Sequence, residues 1–270
     1  MQADSQALHQ DGACWVFVGI DVDGVSVEKG LGIAPVGRHS AGRYAYAWGI
    51  PRYLELFQEL GINATFFVPG YDAEVAPELV RRIASFGHEV AAHGYEHEPE
   101  RIADKATEER LLLRTHRILT DLAGAPPVGW RNPGGIKTSQ THQLLRALNY
   151  IYDSSDKNRA VPYVIEEGGL DLVSLPTNTS VLDDSVLGEV ALLPPSRILE
   201  LWSEEFDFAR RTGGYLPLIL HGRALHGSGT PSKIGVVRGF LEYVLEAGAT
   251  ILTGQEIARR TLRAHSKGAP

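Results

Sequence analysis

Cysteine is nearly absent from this chain: Cys14 is the only one among 270 residues, so no disulfide can form within it. No apolar run approaches the ~18–20 residues that a membrane span requires. The first residues also lack the basic and then apolar segments typical of a secretion signal. The net charge is −7, and no basic block offsets it, which gives no support to nucleic-acid or anionic-membrane binding. We therefore expect a cytoplasmic protein with neither kind of partner.

Apolar runs alternate with helical patterns along most of the chain, as in an α/β protein. Predicted strands cover 15–20, 64–68, 90–92, 128–130, 150–152, 172–176, 215–220 and 249–252. One predicted helix begins at Pro51 and ends at Gly61, another is capped by Thr107, and residues 24–49 are expected to form a long loop. Strands joined by helices form parallel sheets with right-handed crossovers. We therefore predict an α/β fold, a distorted (β/α) barrel of seven to eight parallel strands.

A single domain is expected to hold nearly the whole chain. Hydrophobic residues make up 43% and charged residues 22%, ordinary values for a soluble enzyme, and we find no tandem repeat, low-complexity tract or linker. Residues 1–14 are expected to form a flexible N-terminal segment, 15–264 the catalytic barrel and 265–270 a tail.

Polar side chains gather at the ends of the predicted strands. Strands one, three, four, five and seven are followed by Asp21 and Asp23, His93, Arg131, Asp153 and His221, respectively. The carboxyl ends of parallel strands meet on the face where barrels of this kind build active sites. The pattern therefore predicts one catalytic site at that face.

His93 and His97 lie four residues apart and can share one metal ion, although an isolated pair at this spacing is more often two surface histidines. Two histidines and one carboxylate form a catalytic zinc-type site with a position open for water. A second carboxylate can take the water's proton, an arginine beside it keeps it ionised and oriented, and another histidine can protonate a leaving nitrogen. Hydrolysis of an amide-like C–N bond fits the set Asp21, Asp23, His93, His97, Arg131 and His221.

Four pieces of sequence resemble the motifs of polysaccharide deacetylases with the nodulation-type deacetylase fold. They are Gly19-Ile20-Asp21-Val22-Asp23-Gly24, His93-Gly94-Tyr95-Glu96-His97-Glu98, Arg131-Asn132-Pro133 and Ile219-Leu220-His221. Their order and spacing agree over about 15 to 260. Further features resemble the cytoplasmic branch, which holds cyclic imide hydrolases, allantoinase-like enzymes and an intracellular-looking peptidoglycan deacetylase. They are the Asp-x-Asp pair, Trp48-Gly49-Ile50-Pro51-Arg52, Asp153-Ser154-Ser155 and Leu182-Asp183-Asp184.

The resemblance implies a role for each matching residue. Asp21 would be the general base, oriented by Arg131, and His221 the acid or oxyanion partner. The metal ligands would be Asp23, His93 and His97. The ion would be divalent, with zinc preferred over cobalt, manganese and nickel, which accept the same ligands.

The residues expected to line the substrate pocket are Asp153, Trp48, Asn178, Asp183 and His226. Asp153 would line the pocket or hold His221, or it is simply an aspartate at a helix or strand end. The chain departs from the imidase branch after His221, where His221-Gly222-Arg223 stands in place of a proline-containing stretch. It also lacks a tryptophan expected near Val181.

We therefore hypothesise a metal-dependent hydrolase that cleaves a non-peptide C–N bond of a small cytoplasmic substrate, such as a cyclic imide or ureide. The alternative is an N-deacetylase of an amino sugar, chitooligosaccharide or peptidoglycan fragment. A further alternative is an inactive ligand-binding barrel. The expected partner is a small molecule, and the branch resemblance suggests a homo-oligomer.

Overall fold

A curled, mostly parallel sheet forms the centre of the protein. The computed structural model describes residues 14–98, 104–166, 171–177, 180–187, 193–212, 214–225 and 227–268. The strands are β1 (Trp15–Asp21), β2 (Thr65–Val68), β3 (Glu89–Ala92), β4 (Gly129–Trp130), β5 (Tyr152–Asp153), β6 (Tyr163–Ile165), β7 (Leu172–Ser174), β8 (Tyr215–His221) and β9 (Thr250–Leu252). Their order is β6-β7-β5-β4-β3-β2-β1-β8, with β9 also paired to β1.

β1 organises the sheet because three strands pair with it. β8 runs parallel to its whole length, from Trp15 opposite Tyr215 to Asp21 opposite His221. The other edge of β1 is shared by β2 at the carboxyl half and β9 at the amino half. Every residue of β1 and β8 is buried, as expected for parallel strands covered on both faces. This register places Asp21 and His221 side by side at the carboxyl edge.

The helices cover the outside of the sheet. They are α1 (Ser26–Gly30), α2 (Ala41–Tyr44), α3 (Ile50–Leu60), α4 (Gly70–Val75), α5 (Pro77–Ser85), α6 (Lys105–Ala123), α7 (Thr141–Ala147), α8 (Pro195–Thr212), α9 (Ile234–Glu246) and α10 (Gly254–Gly268). Within the ranges that the structure describes, no helix is both long and apolar enough to cross a membrane.

The α3 helix shows how the sequence determines these elements. Pro51 occupies the first turn, where its missing N–H costs nothing, and Gly61 ends the helix in the left-handed conformation with φ of 66°. Between them, Tyr53 and Phe57 lie on the buried face. Phe57 stacks on Tyr53 with a centroid distance of 5.8 Å and meets Phe66 of β2 edge-on. These aromatic contacts attach α3 to the sheet.

The predicted α/β fold, a distorted barrel built on parallel strands, is confirmed, but four details differ. β6 was not predicted, and it runs antiparallel to β7, so parallel pairing is not universal. In the described part of the chain β6 and β8 end the sheet and do not pair with each other, which leaves a half-barrel. The helix expected to be capped by Thr107 begins earlier, because Asp104 accepts a hydrogen bond from the Thr107 amide.

The segment 24–49 is not the long loop that we predicted. It contains α1, α2, a 3₁₀ turn (Gly37–Ser40) and a π-helical turn (Ala45–Gly49). Turns of four or five residues are too short to produce a hydrophobic period, which is why the sequence pattern missed them. The last helix, α10, also continues past 264, and 1–13 lie outside the described residues, so the expected segment boundaries stay predictions.

We expect Phe57→Ala to lower the free energy of unfolding by about 3–5 kcal/mol, because it leaves a cavity between α3 and β2. Urea denaturation of the purified protein measures this. Phe208→Ala is the matched control: Phe208 is 59% exposed on α8, and its removal should change stability by about 0.5 kcal/mol or less. Equal effects of the two substitutions would contradict this account of the core.

Candidate active site

Side chains from four strand ends meet in one cavity of about 340 Å³. Asp21 ends β1 and His221 ends β8, while His93 and Arg131 directly follow β3 and β4. All four are buried. The cavity is also lined by Asp23, Val27, His97, Asn132, Gly134, Gly135, Ser154, Ser155, Lys157, Thr177, Asp183, Ser185, Ile219 and Arg223. The structure thus brings together all six residues to which the sequence analysis assigned metal binding or catalysis.

Asp23 lies between the two imidazoles of the His-x3-His pair. Its Oδ1 is 3.4 Å from His93 Nε2, and its Oδ2 is 3.5 Å from His97 Nε2. The ligand atoms of the three residues all lie within 4.8 Å of one another. The backbone carbonyl of Arg131 lies 2.8 Å from His93 Nδ1, and such an acceptor fixes the proton on Nδ1 and leaves Nε2 free to bind a metal.

The donor set fits a divalent cation. Asp23 Oδ1 is buried and has no hydrogen-bond partner among the described residues, and buried polar atoms are rarely left unpaired. One carboxylate oxygen with two imidazole nitrogens is the ligand set of a hydrolytic metal site. Asp23, His93 and His97 would therefore hold the ion.

The backbone at two of these ligands is strained. Asp23 and His97 have φ of 42° and 53°, and Asn149 is the one other non-glycine residue with positive φ in the part of the chain that the structure describes. Such conformations persist only where surrounding contacts impose them. Next to His97, the Glu98 carboxylate accepts hydrogen bonds from the Tyr95 and Glu96 amides at 2.7 and 3.1 Å.

The contacts that hold Asp23 come from two directions. The buried carboxylate of Asp72 accepts hydrogen bonds from the Gly24 and Ser26 amides at 2.7 and 2.8 Å. From the other side, buried Arg223 donates to the Asp23 and Gly24 carbonyls at 3.1 and 2.8 Å and is paired with Glu28. From the sequence, Arg223 was noted only as part of the departure from the imidase branch after His221. Besides lining the cavity, it fixes the backbone of a ligand.

Electrostatics favour positive charge between the three ligand side chains. Burial alone would raise the pKa of Asp23, but the charges of His97 and His93 close to its carboxylate outweigh it and hold that pKa well below its usual range. Burial would lower the pKa of His97, and the Asp23 carboxylate outweighs it in turn, so the pKa of His97 is raised. Asp23 is therefore an ionised carboxylate at neutral pH.

Arg131 orients Asp21. Its Nη1 donates to Asp21 Oδ1 at 2.6 Å, while Nε and Nη2 donate to the carbonyl and hydroxyl of Ser154 at 3.2 and 3.1 Å. The guanidinium lies 3.9 Å above the ring of Phe67, a favourable cation–π distance. Gly19 makes room for it, since a Cβ there would lie 2.8 Å from Arg131 Nη2. Asp21 thus presents Oδ2 to the cavity.

His221 is held by an aspartate that the sequence analysis did not assign. Asp184 Oδ1 lies 2.7 Å from His221 Nδ1. Asp183, which was predicted to line the pocket, has its Oδ1 3.8 Å from the same nitrogen. Burial would lower the pKa of His221, but hydrogen bonding and charge from Asp184 outweigh it and raise that pKa to about 10. His221 Nε2 lies 3.9 Å from Asp21 Oδ2, so a protonated imidazole faces the base across the cavity.

Of the five residues predicted to line the substrate pocket, one lines this cavity and two do not. Asp183 lines the cavity. Trp48 does not, because the π-helical turn leaves it 57% exposed, with Arg52 5.6 Å from its ring. Asp153 is buried outside the cavity. Asn178 and His226 lie outside the described residues.

Asp153 neither lines the pocket nor holds His221. It accepts hydrogen bonds from Lys137 Nζ at 2.7 Å and from Ser155, and it lies 3.0 Å from His142 Nε2. Asp153, Asp156 and His142 form a second group of potential metal ligands. The ammonium of Lys137, which also bonds to Asp156 at 2.6 Å, already supplies the positive charge there. Asp153 is therefore a strand-end aspartate that supports the cavity wall through Ser155.

Comparison with known proteins agrees with this geometry. The polysaccharide deacetylase family model matches residues 45–152. A peptidoglycan deacetylase from Helicobacter pylori is 30% identical in an alignment that covers 74% of this chain and 80% of that protein. This chain belongs to the polysaccharide deacetylase family. Members of the family are hydrolases of non-peptide C–N bonds and generally depend on a divalent metal. This protein is therefore a hydrolase of non-peptide C–N bonds.

Other relatives support the family but not one branch of it. A chitooligosaccharide deacetylase from Sinorhizobium fredii is 28% identical over 66% of this chain and 80% of its own. A crystal structure of a Mycobacterium smegmatis protein assigned to the polysaccharide deacetylases is 33% identical, with a TM-score of 0.85 over 95% of this chain and 93% of that one. The Puue allantoinase has a TM-score of 0.81 at 22% identity, which shows a shared fold alone. The family resemblance is confirmed, and the branch stays a prediction.

We expect His93→Ala and His97→Ala each to weaken zinc binding by at least about 100-fold, because each removes one of three ligands. Zinc content after dialysis, measured by plasma mass spectrometry, checks this. His142→Ala is the matched control, since it removes the histidine of the second ligand group, where Lys137 supplies the charge. Full zinc content in both His93→Ala and His97→Ala would show that the ion binds elsewhere.

Proposed function

We propose that this protein is a zinc-dependent N-deacetylase that removes the acetyl group from an amino sugar in a peptidoglycan or chitooligosaccharide fragment. The sequence analysis preferred a cyclic imide and held deacetylation as the alternative. The named functions of the relatives, peptidoglycan and chitooligosaccharide deacetylases, favour the alternative. The observation that carries the proposal is the pairing of Asp21 with Arg131 at 2.6 Å beside the group formed by Asp23, His93 and His97.

The metal would supply Lewis-acid chemistry, lowering the pKa of a water molecule and polarising the amide carbonyl. Zinc suits a site with two imidazoles, one carboxylate and an open position. Asp23, His93 and His97 would hold the ion.

Asp21 is positioned to act as the base. Arg131 occupies its Oδ1, so Oδ2 is the oxygen that can accept the proton of the attacking water as the water oxygen bonds to the carbonyl carbon. Because the contacts of Arg131 with Ser154 fix the guanidinium, the Asp21 carboxylate keeps one orientation. Such a preset geometry contributes to the rate by removing the need to align the base.

His221 is positioned to act as the acid. Asp184 keeps the proton on Nδ1 and stabilises the imidazolium, so Nε2 carries the second proton into the cavity. When the C–N bond breaks, that proton goes to the leaving nitrogen and the amine departs neutral. The products are acetate and the free amino sugar.

A cyclic imide or ureide is the second candidate. The cavity volume of about 340 Å³ suits a single small ring, and ring opening of an imide would use the same base and acid. We also propose, from composition and branch resemblance alone, that the protein acts in the cytoplasm as a homo-oligomer.

We expect the zinc-loaded protein to release acetate from tetra-N-acetylchitotetraose or from N-acetylated peptidoglycan fragments, and a chelator to abolish this. Asp21→Asn should lower kcat by about 100-fold or more while zinc content stays unchanged, because Asp21 is not a ligand. Asp207→Asn, a carboxylate that bonds to Tyr243 on the surface, is the control. Turnover of succinimide or hydantoin without acetate release would favour the second candidate.

We expect activity to fall as the pH rises through the pKa of His221, because the protonated form is the acid. Asp184→Asn removes the charge that raises this pKa, so the alkaline limb of the kcat profile should move to lower pH by about one unit or more. Profiles of wild type and Asp207→Asn should coincide. An alkaline limb that stays in place in Asp184→Asn would mean that another group donates the proton.

A further inference from the structure

A second, smaller cavity of about 240 Å³ adjoins the catalytic cavity beside His97. We call it the apolar groove, and its lining residues are Val27, Leu31, His97, Glu98, Pro133, Gly134 and Ile136. Three of these, Val27, His97 and Gly134, also line the catalytic cavity. The two cavities therefore adjoin at a metal-ligand side chain, so a molecule held at the metal site can extend into both.

The wall of the groove exposes large apolar side chains. Leu31 at the end of α1 is 59% exposed and Ile136 is 37% exposed, and Val27 and Pro133 complete the apolar surface. Removing such surface from water is favourable. An apolar group bound in the groove would therefore be stabilised by covering these side chains.

Glu98, the one carboxylate that lines the groove, does not require a cationic ligand. Glu98 Oε1 accepts the Tyr95 and Glu96 amides, so its charge is engaged by the turn that carries His97. No lysine or arginine lines the groove among the described residues, in contrast to the catalytic cavity with Lys157 and Arg223. The groove thus fits a neutral, apolar group.

The position of the groove indicates which half of the substrate enters it. His221 gives its proton to the leaving nitrogen, so the amine half lies on the His221 side of the carbonyl carbon. The groove borders His97 and shares none of the residues around His221, namely Asp183, Ser185 and Ile219. The acyl half is bonded to the other side of the same carbon and points toward the groove.

We propose that the apolar groove receives the alkyl chain of an N-acyl group longer than acetyl, so that the substrates are N-acylated amino sugars with acyl chains of several carbons. The proposal rests on the proposed N-deacylation of amino sugars. A volume of 240 Å³ equals that of about eight water molecules at ~30 Å³ each, which leaves room for several methylene groups.

The test compares chitotetraose carrying N-acetyl, N-butanoyl or N-hexanoyl groups as substrates of the zinc-loaded protein. Each methylene that becomes buried should raise kcat/KM about fourfold, so the butanoyl substrate, with two more methylenes, should exceed the acetyl one by about 16-fold. Leu31→Ser and Ile136→Ser should each reduce the hexanoyl-to-acetyl ratio at least about fourfold. Phe208→Ser is the matched control, because Phe208 has the same 59% exposure as Leu31 but lies on α8, and it should leave the ratio unchanged.

Two results would overturn the proposal: a wild-type ratio of one or less, or a ratio that Leu31→Ser and Ile136→Ser do not change. Absence of turnover with all three substrates would instead count against the proposed function. In that case calorimetric binding of acetohydroxamate and hexanohydroxamate to the zinc-loaded protein decides the matter. Binding of the hexanoyl compound at least about tenfold tighter, and weaker in Leu31→Ser, supports the groove assignment; equal binding refutes it.

Discussion

The placement of the Asp23 carboxylate between two imidazoles is the constraint on which the rest of the site depends. An ionised carboxylate that is buried without a partner costs several kcal/mol, and Asp23 Oδ1 has no hydrogen-bond donor within the described ranges. Other buried side chains therefore hold Asp23 in place. Asp72 and Arg223 hold the backbone on either side of it, and both arrive from segments distant in sequence. A divalent cation between the three side chains would offset the remaining cost.

The sheet then determines where the catalytic pair lies relative to that charge. Because β1 and β8 pair in register over seven residues, Asp21 and His221 end their strands as neighbours. Arg131 and Asp184 give these two groups different roles. Arg131 fixes the Asp21 carboxylate, which accepts a proton. Asp184 raises the pKa of the His221 imidazole, which donates one. A proton acceptor and a proton donor on either side of the cavity suit hydrolysis of an amide.

Buried strands are visible in the sequence as apolar runs. The order of the strands and helices could therefore be predicted, and so could the main residues of the site. Asp21, His93, Arg131 and His221 each stand directly after such a run, so their shared edge of the sheet could be inferred. Trp48 and Asp153 were misplaced because their environments depend on a π-helical turn and on Lys137, which no local pattern reveals. Asp184 was missed as the partner of His221, a role that the resemblance offered to Asp153, whereas Asp183 was expected in the pocket and lines the cavity. Which residue of an irregular segment holds His221 depends on tertiary contacts, here those of Asp184 with the His221 and Ser228 amides.

Anomalous X-ray diffraction at the zinc edge, from crystals grown with zinc, distinguishes the ligands of the ion from the base. We expect a single strong site in which Asp23, His93 and His97 bind the ion at about 2.0–2.2 Å, while Asp21 remains on Arg131 and does not bind it. An ion bound instead by Asp21, or located at His142, Asp153 and Asp156, would contradict the assignment of base and ligands.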